Sequence, residues 1–120
     1  MKTENAVVDK SMEFAVWIVT LSRYLREEER EYELASQLLR SGTSIGANVH
    51  EAVYGQSRKD FLSKMSIALK EASETIYWLE LLRRAGVLSD NECASIVGQA
   101  EELRRLLTPI VKSTKERSNS

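Results

Sequence analysis

Ser36–Ala52 reads "SQLLRSGTSIGANVHEA", two glycines, several hydroxyls, an asparagine, a histidine and a glutamate inside a segment of helical period. Ala35, Leu38, Gly42, Ile45, Val49 and Ala52 step by three and four along one face, the spacing of an amphipathic helix. Gln37, Ser41, Ser44, Asn48 and Glu51 step by four and three along the adjacent face. Gly42 falls on the apolar seam and Gly46 follows one turn later. Each glycine costs roughly 1 kcal/mol of helix propensity relative to alanine, so the expected compensation is a neighbouring backbone that comes close. A kink at Gly42 is the other arrangement these glycines allow.

Working outward, the same period predicts helices over about 5–26, 31–54, 58–85 and 90–112. In the first, Phe14, Ile18, Leu21 and Leu25 form one seam, while Met12, Val16 and Val19 lie on a second side and Trp17 and Tyr24 on a third. A helix apolar on three sides is either central to its bundle or in contact with another subunit. Met12, Val16, Trp17, Val19 and Tyr24 are therefore the candidate oligomer interface. The third helix carries Phe61, Met65, Ala68, Ala72, Ile76 and Leu79; the fourth carries Ile96, Ala100, Leu103, Leu107 and Ile110.

The punctuation between these segments agrees. Ser57 with Asp60, and Ser89 with Glu92, have the spacing of capping boxes, and Gly86 suits a left-handed helix end. Pro109 cannot donate to the carbonyl of Arg105, so a bend or early end is expected there, with 113–120 a frayed basic tail. Four amphipathic segments with short links predict one all-α domain over 1–120, an antiparallel up-down four-helix bundle.

Composition narrows function mainly by exclusion. At 120 residues, 42% hydrophobic and 29% charged, the chain has room for one core. Its single cysteine, Cys93, rules out an internal disulfide and any cysteine-built zinc cluster, which makes a reducing, cytoplasmic setting the simpler expectation. Asp9, Lys10 and Glu13 interrupt the apolar residues near the start, which fits neither a signal peptide nor a membrane span. There is one histidine, His50, and no phosphate-cradling glycine loop. Di-iron bundles need Glu-x-x-His pairs on two helices, a pattern this chain lacks. The reading is a non-enzymatic protein with no metal, no cofactor and no small-molecule substrate. An enzyme would need Glu51 and Glu74 paired in one pocket.

Two polar features remain. The stripe on the second helix has a counterpart on the third in Lys64, Glu71, Glu74 and Trp78, so Asn48 and Glu51 are expected to find partners across the seam or on another chain. Charge is uneven as well: the net value is −1, yet "EEEREYE" spans Glu27–Glu33 while Arg104, Arg105, Lys112, Lys115 and Arg117 gather near the other end. Arg83 and Arg84 would join that basic edge if the fourth helix turns back. Interleaved aromatics for base stacking are not seen there, so nucleic-acid contact would be through phosphates.

The block "SQLLRSGTSIGANVHEA" together with "SRKDFLSKMSIALKEASETIYWLELL" resembles the four helix bundle family encoded by intervening sequences in bacterial 23S ribosomal RNA genes. The likeness spans roughly 12–111. It rests on Gln37, Arg40, Ser44, Ile45, Ala47, Asn48 and Glu51, then on Lys59, Asp60, Phe61, Ala68, Glu74 and Trp78. Gly46 and Ala52 depart from residues common in relatives, proline and glycine respectively. The resemblance implies a polar network of Gln37, Arg40, Ser44, Asn48, Glu51 and Glu74, and a homo-oligomeric, pentameric barrel. More distant relatives are accessory proteins of diversity-generating retroelements, which contact a reverse transcriptase and nucleic acid through basic surfaces. The resulting expectation is a ring-forming bundle whose basic surface contacts RNA or a ribonucleoprotein. Its rival is a protein-interaction scaffold that holds a partner in a helical groove or at "EEEREYE", with no nucleic-acid role.

Overall fold

Each of the four periodic segments forms a helix in the computed structural model, which describes residues 2–119. In order they are α1 (Lys2–Glu27), α2 (Tyr32–Val53), α3 (Arg58–Arg84) and α4 (Asp90–Asn119). No strand occurs among the described residues. The ends form as the side chains dictate. Ser57 Oγ accepts from the Asp60 N–H at 3.0 Å. Ser89 and Glu92 exchange two bonds, at 3.1 and 3.0 Å, which closes a full capping box. Gly86 takes a φ of +79°, and the Val87 and Gly86 amides return to the carbonyls of Leu82 and Arg83, a Schellman ending for α3.

Each helix packs on the one before it, and α1 meets α4 least closely to complete the circuit. The body measures 50 × 22 × 21 Å, so helices of this length joined by tight turns run antiparallel. Phe14, Ile18, Leu38, Ile45, Met65, Leu79, Leu82, Leu103 and Leu107 are fully buried at its centre. Each contributes on the order of 1.5–3 kcal/mol relative to remaining exposed.

The glycines explain how α1 and α2 come together. A Cβ on Gly42 would stand 2.8 Å from both Cγ1 and Cγ2 of Ile18, and one on Gly46 would stand 3.3 Å from the Ser11 carbonyl oxygen. α2 runs unbroken from Tyr32 to Val53. Close approach is therefore the compensation, and there is no interruption at Gly42.

One expectation fails. α4 does not stop near residue 112 or fray over 113–119; it continues through Pro109 to Asn119, with Ser120 outside the described residues. Pro109 is exposed and forfeits one backbone bond, a cost the packing beyond it offsets. Thr114, only 1% exposed, donates to the Ile110 carbonyl at 2.7 Å. Ile110 and Thr114 share a hollow with Phe61 of α3. The apolar period that predicted a helix to residue 112 thus has a polar, buried continuation. No helix among the described residues is long and apolar enough to cross a membrane.

Candidate functional site

Three surfaces merit attention: the outer face of α1, the α2–α3 polar stripe and the cations of α3 and α4. On α1, Met12, Val16 and Trp17 are 64%, 60% and 57% exposed, and Val19 and Tyr24 lie open beside them. The strip is flanked by two hollows. One, of about 460 Å³, lies against α2 between Met12, Ala15, Gly46 and Ala47. The other, of about 390 Å³, lies against α4 between Trp17, Leu21, Tyr24 and Ile96. Tyr24 donates to Glu29 at 3.3 Å, and the Glu29 charge holds its phenol above the usual value.

The polar stripe closes onto α3. Arg40 reaches Glu71 Oε2 with Nη1 at 3.0 Å and Glu74 Oε1 with Nη2. Trp78 Nε1 donates to the same Glu74 oxygen at 3.3 Å. Glu71 is 8% exposed, so Arg40 neutralises a carboxylate that water scarcely reaches. Beneath it, buried Thr75 Oγ1 lies 3.0 Å from Ser41 Oγ and 2.7 Å from the Glu71 carbonyl oxygen. Further along, Lys64 and Glu51 pair at 2.9 Å. The hydrogen bond and then the charge of that pair pull Glu51 down and push Lys64 up.

Of the two residues that could bond across the seam, Glu51 does so and Asn48 bonds within α2. Its Nδ2 donates to the Ser44 carbonyl at 2.8 Å within α2, and Ser44 Oγ donates to the Arg40 carbonyl at 2.5 Å. Gln37 is exposed at the edge of a hollow it shares with Tyr32 and Trp78. Glu51 and Glu74 are held by different cations, so they do not form a pair in one pocket. Opposite charges matched across two helices favour one register of α2 on α3 over its slips, which is the work this arrangement does well. Of Glu71 and Thr75 on α3, Glu71 belongs to the polar line read from the sequence and Thr75 lies outside it. Thr75 carries no sequence signal that separates it from a core position.

The cations are spread along the bundle, with Arg83 and Arg84 at one end, Arg104 and Arg105 midway along α4, and Lys112 and Lys115 toward the other end. Arg83 is bound to Glu80 at 3.0 Å and Asp90 at 3.5 Å, and Arg84 is exposed beside it. Both stand where α4 begins. Lys112 lies about 33 Å further on at 1.5 Å per residue, so Arg83 and Arg84 do not extend the basic edge. Arg104 is paired with Glu101 at 2.6 Å, and Arg117 donates to Thr114 at 3.4 Å. Arg105, Lys112 and Lys115 are exposed, with no ion pair among the described residues.

Arg58 and Lys59 take the place expected for Arg83 and Arg84. They open α3 just before Phe61, which faces Ile110 and Ser113 of α4, and both are exposed. In "SRKDF" the local signals are those of a cap and a turn; only the antiparallel return of α4 brings Lys112 and Lys115 to the same end. Cys93 is buried with Sγ 3.5 Å from the Leu79 carbonyl oxygen, and burial pushes its thiol up. His50 packs its ring on Tyr54, with centroids 4.7 Å apart.

These features define a class: a four-helix bundle locked by a charged α2–α3 seam, with an uncovered apolar face and one cationic end. The chain matches the 23S rRNA-intervening sequence protein family over residues 3–109, and it belongs to that family. Among solved structures, a protein of unknown function from the S23 ribosomal protein family of Bacteroides thetaiotaomicron is 51% identical and superposes with a TM-score of 0.90. The match covers 92% of this chain and 98% of that one. No curated protein matches the chain.

Proposed function

We propose that this protein is a non-enzymatic, cytoplasmic bundle that assembles with copies of itself through the outer face of α1 and contacts RNA or a ribonucleoprotein through its cationic end. The observation that carries the reading is the gathering of Arg58, Lys59, Lys112 and Lys115 at one end, exposed and without ion pairs among the described residues, in a chain of net charge −1. Such a cluster attracts phosphates by releasing their counterions. Assembly multiplies it, and a pentamer, the expectation from the family, would present five copies to one strand. The link between this family and ribosomal RNA genes, carried in its name, points the same way.

Gel-shift titration of a structured RNA at two salt concentrations tests the contact. Binding should weaken as salt rises, and reversing Lys112 and Lys115 to glutamate should weaken it further and flatten the salt slope. Absence of a shift at low salt defeats the reading. Light scattering tests assembly: the mass should be a multiple of 13.6 kDa, and Val16→Glu should return it to one chain. A protein scaffold would instead retain its partner after nuclease treatment and after both charge reversals.

A further inference from the structure

Tyr54 is 70% exposed, more than any other large apolar or aromatic side chain described, and nothing in the packing of the bundle requires an aromatic ring there. It ends α2, where its amide bonds to the His50 carbonyl at 3.1 Å. The His50 ring backs the Tyr54 ring at 4.7 Å and 47°, which restrains the phenol while leaving most of it open. The turn then runs directly into Arg58 and Lys59. The neighbouring Glu51 is already neutralised by Lys64. Tyr32, also exposed, sits instead between Glu31 and Glu33.

We infer that Tyr54, braced by His50, is a stacking platform for an unpaired base, with Arg58 and Lys59 taking the flanking phosphates, so that the cationic end receives single-stranded RNA in preference to duplex. The inference rests on the RNA reading and narrows it to a substrate class. Every base offers a π-face to an aromatic ring, and a duplex hides those faces in its own stack. No aromatic is interleaved with the α4 cations along the sequence. The fold mixes them by placing the α2–α3 turn at the end that α4 reaches. That end is about 22 × 21 Å across, and Lys112 and Lys115 lie toward it on α4.

Fluorescence anisotropy with a labelled oligoadenylate of roughly 12 nucleotides, a length within known single-strand site sizes, and a hairpin duplex of matched length separates the possibilities. Tyr54→Ala should weaken oligoadenylate binding about tenfold, the loss of one stacked base, and leave the duplex and the salt slope unchanged. Tyr54→Phe should restore binding. Arg58→Glu with Lys59→Glu should weaken both probes and flatten the salt slope. Thermal melts should be unchanged, since Tyr54 is at the surface. If Tyr54→Ala binds oligoadenylate like the parent while the charge reversals still abolish binding, the stacking platform is wrong and the RNA reading stands. If neither probe binds the parent protein at low salt, both are wrong.

Discussion

Adding one methyl group at Gly42 should destabilise the protein although it improves the helix. Alanine gains roughly 1 kcal/mol of propensity over glycine in a helix interior. Against this, the new Cβ would lie 2.8 Å from Ile18 Cγ1, 2.8 Å from Cγ2 and 3.2 Å from Cβ. Carbon atoms pack at about 3.5–4.0 Å, and these belong to the stiff, branched base of a side chain that cannot swing aside. α1 would have to retreat by roughly 1 Å, which also loosens the contact of Gly46 with Ser11. Overpacking of this kind costs about 1–3 kcal/mol, so the net loss should be roughly 0–2 kcal/mol, with none of the gain that propensity alone would give. Gly98→Ala is the matched control: it is exposed in α4, its added Cβ meets nothing within 4 Å, and it should stabilise by about 0.5–1 kcal/mol. Ile18→Ala with Gly42→Ala should lose at least about 1 kcal/mol less than the two single changes summed, because the new methyl then occupies space the isoleucine vacated. Urea unfolding followed by circular dichroism, at one fixed protein concentration so that assembly does not shift the midpoint, gives all four values. If Gly42→Ala stabilises as Gly98→Ala does, close approach is not why the glycine is there.

Arg40→Met should cost about 1–3 kcal/mol by leaving Glu71, 8% exposed, without its cation, less than for a fully buried pair because Arg40 is half in water; adding Glu71→Gln should recover most of it, and a neutral Arg40→Met in a denaturant titration would show that the charged seam is not a register lock. Ser22 is buried with no partner for its hydroxyl among the described residues, so Ser22→Ala should raise stability by about 1 kcal/mol, and a lower denaturation midpoint would contradict that. Glu51, Glu92 and Glu102 all titrate below the usual carboxylate value through Lys64, Ser89 and Lys10 respectively, so their stabilisation is complete above about pH 5 and is lost as pH falls through the lowered values. Lys10 and Lys64 are raised, so their share is complete below about pH 10 and lost above it; melts across pH should show both limbs, and Glu102→Gln should flatten the acid one.

Periodicity carried the fold because burial acts through position along a helix, and each seam is a local pattern. Leu38, Ile45 and Val49 could be placed inside without knowing what they touched, and Ser89 with Glu92 could be paired because both partners lie within one turn. Gly42 was legible for a related reason: its cost is intrinsic, so something had to compensate, and Ile18 does. The site was less legible because its partners lie far apart in the chain. Nothing local says that Ser41 meets Thr75, or that Arg40 rather than Asn48 is the residue that crosses to α3. The cations show the same limit most sharply. Arg83 and Arg84 sit closer in sequence to Lys112 than Arg58 and Lys59 do, yet topology sends the nearer pair to the opposite end and brings the farther pair alongside. The extension of α4 through Pro109 follows from this as well, since the hollow that Ile110 and Thr114 line is shared with Phe61 at the start of α3. A helix end is decided by what the last turns can bury against. Here that surface, the cationic end and the exposed Tyr54 are all products of a single fact about the fold: α4 returns along the full length of α3.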